Sequence, residues 1–208
     1  MIIAKLGGLI ALKICKKLAY DCLYLDELTI YGKDSDLYNM RTQWIPRGEM
    51  EHVLAALTPP NRLAAEVSMA TGLRISDVLS LKPVKLEKAR CTVTELKTGK
   101  TRPVYWPLDL LERMRAVAGK NFVFEGRCSG LKHRTRQAVY KDIKRAAAAF
   151  RLPENIAPHS LRKIYAVDLY HRTKNMDKVR RLLNHSSEPV TMLYALADQL
   201  DKRKAGRL

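Results

Sequence analysis

Pro158-His159-Ser160-Leu161-Arg162 opens the part of the chain whose spacing decides how the rest is read. A proline there suits the first turn of a helix, and His159 and Arg162, three apart, then project from one side of that turn. Leu161, Ile164, Val167 and Leu169 give the predicted helix, 158–172, its apolar surface. A second helix is expected from Met176 to Leu183, closed by Asn184-His185. A third segment near Glu188 to Leu200 carries Tyr194. His185 stands 23 residues after Arg162, and Tyr194 stands nine after His185.

Two upstream segments supply matching chemistry: Thr71-Gly72-Leu73-Arg74-Ile75-Ser76-Asp77 and Leu96-Lys97-Thr98-Gly99-Lys100-Thr101-Arg102. Phosphoryl transfer spreads negative charge over non-bridging oxygens, and a protein that works without Mg²⁺ must bring its own cations. Two arginines can grip such oxygens bidentately, and a tyrosine can attack the phosphorus. Short helices are predicted over 49–57, stopping before Pro59-Pro60, over 61–70, ended by Gly72, and over 76–81, with Arg74 at the mouth of the last. Cys91 to Leu96 alternates as a strand, Thr98-Gly99 turns, and Arg102 to Trp106 returns, so Lys97 falls at a strand end beside a hairpin. Helices over 108–117 and 135–150 and a brief strand over 121–124 complete the pattern. The 135–150 helix buries Val139, Ile143, Ala147 and Phe150.

The five segments in this order resemble the tyrosine recombinase, or phage integrase, family over roughly residues 45–200, chiefly through the H-x-x-R, H and Y spacing. The resemblance implies an α+β, mainly helical catalytic domain with a small antiparallel sheet. It implies site-specific DNA recombination (integrase, excisionase or invertase type) through a 3′-phosphotyrosyl intermediate, with no metal, ATP or other cofactor. Carried onto this sequence, Tyr194 is the nucleophile, Arg74 and Arg162 clamp the phosphate, and His185 donates to a non-bridging oxygen. His159 accepts the tyrosine proton or orients the site, Lys97 protonates the leaving 5′-oxygen, and Asp77 holds its neighbours in place. Family members assemble as tetramers on synapsed double-stranded DNA, and an accessory DNA-bending protein is a further expected partner. Two departures stand out: Asn184 where relatives have glycine before the histidine, and Lys163 where they often have a second histidine. Two alternatives stay open, a nicking-closing enzyme of the type IB topoisomerase kind and a DNA-binding remnant of a mobile-element integrase.

Composition agrees. The 208 residues carry a net charge of +17, of which residues 1–47 hold only +2, so the basic excess lies in the segment with the motifs and points to a polyanion. Arg127, Lys132, Arg134, Arg136, Lys141 and Lys144, before and along the 135–150 helix, are the expected DNA contacts. Cys15, Cys22, Cys91 and Cys128 lack metal-ligand spacing, so neither a zinc site nor a disulfide framework is expected and a cytoplasmic setting fits. Lys5 and Lys13 bracket only seven uncharged residues, far fewer than the roughly 20 a bilayer span needs, so no membrane association is expected. Residues 1–44 form an extension too short for the separate core-binding domain of most relatives, and 45–208 form the catalytic domain. The basic tail from Ala195 either packs on a neighbouring protomer or is disordered.

Overall fold

The structure is a computed structural model, and it describes residues 42–183. The expectations for residues 1–41, and those for His185, Tyr194 and the tail, lie outside the described residues. The described part is mainly helical with one two-stranded antiparallel sheet, as expected.

Helix α1 (Arg47–Ala55) follows Pro46 and buries Met50, Val53 and Leu54. Helix α2 (Pro59–Thr71) begins two residues earlier than expected. Pro59 and Pro60 occupy its first turn, where a missing N–H breaks no helical bond, so the prolines start this helix, while α1 already ends at Ala55 rather than reaching 57 as expected. Gly72 closes α2 with a left-handed φ of 69° and returns its N–H to the Ser68 carbonyl at 2.8 Å. The chain turns at once into α3 (Ile75–Leu79), with Arg74 at the junction.

A 3₁₀ turn (Pro83–Leu86) leads to β1 (Arg90–Thr94) and β2 (Thr101–Tyr105), paired from Arg90 opposite Tyr105 to Thr94 opposite Thr101. Val93 and Val104 face the core on adjoining strands. Helix α4 (Leu108–Val117) buries Leu110, Leu111 and Met114. No strand forms over 121–124: Val123 bonds the Leu81 carbonyl at 2.9 Å, and the only ladder contact in this region is a bridge from Glu125 to His133. Val123 and Phe124 are buried by plugging into the core rather than by pairing with a strand, while Phe122 stays half-buried under the Lys82 ammonium.

Helix α5 (Arg136–Ala149) is capped by Thr135, whose hydroxyl accepts from the Ala138 N–H at 3.1 Å. Val139, Ile143 and Ala147 are buried as expected, but Phe150 is 48% exposed, because the helix ends before it and the stripe turns to Ala146 instead. Helix α6 (Pro158–Thr173) buries Leu161, Ile164, Val167 and Leu169 and packs chiefly on α2. Helix α7 (Met176–Leu182) follows, with Val179 and Leu183 against Tyr165, Ala166 and Leu169 of α6. One core runs from Trp44 through α1–α6 and reaches the hairpin at Val93 and Val104.

A buried carboxylate ties α5 to the start of α2. Asp142 accepts from the Thr58 N–H (2.9 Å), the Thr58 hydroxyl (2.8 Å) and the Asn61 side-chain amide (2.7 Å), with Arg145 at 2.7 Å on its other oxygen. No residue in the first turn of α2 is acidic, so a carboxylate 84 residues downstream serves its N-terminus. Burial opposes the charge of Asp142, but the bonds from Arg145, Asn61 and Thr58 outweigh it and hold the carboxyl down at about 2.

Candidate active site

The α2–α3 junction and the first turn of α6 meet because Gly72 lets them. A Cβ on Gly72 would stand 2.3 Å from the Tyr165 ring of α6, at a φ where a side chain is already strained. With no side chain there, the Gly72 carbonyl accepts from Arg162 Nη1 at 2.7 Å. Arg162 is 3% exposed, and its other terminal nitrogen bonds the Leu183 carbonyl at the end of α7. Arg162 thus joins the three segments that precede Arg74, follow His159 and lead to His185.

Arg74, His159 and Arg162 line one cleft of about 430 Å³. Its opposite wall is the start of α5, with Arg136, Gln137 and Tyr140. Two guanidinium groups, an imidazole and an exposed arginine at a helix N-terminus make a cleft suited to an oxyanion. Lys97 is exposed in the turn between β1 and β2 and is not part of that lining. The turn is held from both sides: the Leu96 N–H donates to Asp77 Oδ1 at 3.0 Å, and the Thr98 hydroxyl donates to Glu95 Oε2 at 3.1 Å.

Asp77 is 2% exposed, and only one of its oxygens has a hydrogen-bond partner. Burial pushes its carboxyl above the ordinary value and the nearby Glu95 charge adds to this, while the Leu96 N–H, Arg74 and Arg162 pull it back only in part. Its one bonded oxygen joins the hairpin turn to α3.

Two charged residues here had no role in the sequence reading. Glu95, fully buried, has Oε2 on Arg74 Nη1 and Oε1 at 3.5 Å from Arg102 Nε and 3.8 Å from Arg162 Nη1. Arg102, 5% exposed, donates to the Thr71 carbonyl at 3.0 Å, and burial draws its pKa down. The signal was present: strand alternation puts Glu95 on the face of Cys91 and Val93, and Arg102 on the face of Val104, so both charges point inward. Charges on a core-facing side need partners, and here they are one another's.

Of the six expected DNA contacts, Arg127, Lys132, Arg136 and Lys141 are exposed. Arg134 and Lys144 are half-buried, with Arg134 bonded to the Asn61 side chain and Lys144 to that of Asn155. Lys163, at one of the two departures, donates to the Thr42 carbonyl at 2.5 Å and anchors the start of the described chain to α6.

The family model described as the phage integrase family matches residues 43–200, most of the chain and the whole of this arrangement. The chain belongs to the phage integrase family. It is 33% identical over 140 residues to the probable integrase/recombinase YoeC of Bacillus subtilis (strain 168), covering 65% of this chain and 76% of that one. It is 28% identical over 155 residues to the integrase of Escherichia phage P2, covering 74% of this chain but 43% of the relative. Beyond YoeC, the chain spans about half the length of the curated relatives it matches. A lambda integrase (75–356) dimer bound to a COC′ core site superposes with a TM-score of 0.59 at 22% identity, over 76% of this chain and 59% of that one. The XerH site-specific recombinase bound to palindromic difH substrate gives 0.60 at 22% identity, over 78% and 52%. These structures share the integrase catalytic fold with the chain. Among the described residues, no helix is long and apolar enough to cross a membrane.

Proposed function

We propose that this phage integrase family member is a site-specific recombinase that cuts and rejoins double-stranded DNA through a 3′-phosphotyrosyl intermediate, drawing its cations from the protein. The observation that carries the reading is the cleft where Arg74, His159 and Arg162 meet, with Arg162 also bound to the segment leading to His185. In the proposed reaction the Tyr194 oxygen forms a bond to phosphorus as the bond to the 5′-oxygen breaks. The tyrosine proton passes to His159, and Lys97 gives a proton to the departing 5′-oxygen. Arg74 and Arg162 bind the non-bridging oxygens, whose charge grows in the five-coordinate transition state, and His185 donates to one of them. A 5′-hydroxyl from a second strand then reverses the attack and releases the tyrosine. No net bond energy is lost, so ATP is not required.

The exposed cations Arg127, Lys132, Arg136 and Lys141 would meet the DNA backbone beside the cleft. A lambda integrase tetramer bound to a Holliday junction superposes with a TM-score of 0.60 at 21% identity. On that likeness the proposed working unit is a homotetramer on two synapsed sites.

The test uses duplexes recovered as covalent adducts from a pool of synthetic DNA with a randomised core. Two copies of the recovered site are placed in one supercoiled plasmid and incubated with the full chain. Excised or inverted products are the expected result. Relaxed topoisomers with no exchanged products would assign the chain to nicking and closing alone, and tight binding without cleavage would assign it to a DNA-binding remnant.

A further inference from the structure

Glu95 stands between the two arginines to which the proposed reaction assigns the phosphate, and no sequence motif singles it out. Its carboxylate is fully buried. One oxygen takes Arg74 Nη1 and the Thr98 hydroxyl, and the other lies 3.8 Å from Arg162 Nη1 and 3.5 Å from Arg102 Nε. Arg74 and Arg162 come from segments 88 residues apart, and Glu95 is a charged group that both of them touch. Lys97 follows two residues later, in the turn whose Thr98 is bonded to that same carboxylate.

Three guanidinium groups gathered in a poorly hydrated site repel one another strongly. A carboxylate among them offsets that repulsion and, because the Glu95 backbone is held at the end of β1 by its N–H on the Lys100 carbonyl (3.0 Å) and its carbonyl on the Gly99 N–H (2.9 Å), also sets where the guanidinium groups stand. The count of charges matters too. Two buried carboxylates, Glu95 and Asp77, against three arginines, Arg74, Arg102 and Arg162, leave positive charge in excess. The excess faces the cleft through Arg74, which is 18% exposed, and leaves room for the anion of a phosphodiester.

We propose that Glu95 is a positioning residue for phosphate cleavage: it fixes the separation of Arg74 and Arg162 and ties their grip on the non-bridging oxygens to the Lys97 turn. This rests on the proposed recombinase chemistry and adds to it a residue that does not itself touch DNA.

The experiment compares two substrates. A duplex recovered as an adduct is resynthesised with either an ordinary phosphate or a neutral methylphosphonate at the cut position, and the rate of adduct formation is measured for each. Paired arginines assist the charged phosphate more than the neutral analogue, whereas a general loss of structure slows both alike. For E95Q the expected result is an adduct rate on phosphate at least tenfold below wild type, a smaller loss on methylphosphonate, and unchanged affinity for the duplex. E95D keeps the charge but withdraws it by one methylene, and is expected to recover part of the phosphate rate. Equal losses on both substrates, or no loss on either, would overturn the proposal. If E95Q does not fold, as judged by its thermal transition, E95D carries the test through the same ratio. Failure of both variants to fold assigns Glu95 to stability alone and also overturns it. The wild-type control separates the two claims. A wild-type chain that forms no adduct contradicts the recombinase reading, and this proposal with it. A wild-type adduct alongside an unchanged substrate ratio in the variants contradicts the Glu95 proposal only.

Discussion

Replacing Asp142 by asparagine keeps the shape of the side chain and removes the charge that serves the start of α2. Its carboxyl is 8% exposed and is held at about 2 rather than the ordinary 3.8. A difference of nearly two units at about 1.36 kcal/mol each corresponds to roughly 2 kcal/mol of stability at neutral pH. This is an upper figure, since its partner Arg145 is 60% exposed and screened by water. The unfolded carboxyl takes up its proton near 3.8 and the folded one only near 2, so acid favours the unfolded chain across that interval. The contribution is complete above about pH 5, falls to roughly 1 kcal/mol at pH 3 and is gone below about pH 1. In urea at pH 7, D142N should unfold at a midpoint roughly 1 M below wild type, or melt roughly 5–10 °C lower. At pH 3 the gap between the two proteins should shrink by about half. Equal midpoints at pH 7, or a gap of the same size at pH 3, would show that the Asp142 charge does not stabilise the start of α2.

Asp77→Asn should behave in the opposite way. The folded carboxyl of Asp77 is raised, so ionising it costs stability as pH climbs above the unfolded value of 3.8. D77N should therefore be at least as stable as wild type in urea at pH 7, with no advantage below pH 3.8, and a clear loss at pH 7 would contradict this. Gly72→Ala should lower stability by about 2 kcal/mol or more, from left-handed strain of roughly 1–2 kcal/mol together with displacement of the Tyr165 ring. Because the Gly72 carbonyl holds Arg162, adduct formation should fall further in G72A than DNA affinity does, and an unshifted thermal transition would exclude the predicted clash.

The parts of the candidate site that were legible in the sequence are residues whose spacing is fixed by local structure. His159 and Arg162 share the first turn of a helix that Pro158 starts, and Arg74 follows directly on a helix that Gly72 ends. Both segments could be placed on local rules, and the structure brings them to one cleft. What escaped depends on contacts between distant segments. Glu95 and Arg102 were legible as inward positions of a hairpin, but only the fold shows that they face Arg74 and Arg162. The ring of Tyr165 over Gly72 and the Asp142 carboxylate at Thr58 join residues more than 80 apart, which no periodicity encodes. The helix over 135–150 was read correctly as amphipathic, yet Phe150 lies beyond its last turn, where the stripe no longer follows helical geometry. Arg134 and Lys144 show the same limit, since a basic residue near an expected DNA face can instead satisfy a neighbouring asparagine.

Covalent trapping in EDTA tests the tyrosine chemistry directly. The full chain is incubated with the randomised duplex pool, denatured, digested, and the peptide bearing a nucleotide is sequenced. The expected product is a 3′-phosphate joined to Tyr194, formed without added metal and absent from Y194F, which still binds the DNA. An adduct on another residue, an adduct that persists in Y194F, or cleavage that stops when the metal is chelated would contradict that chemistry.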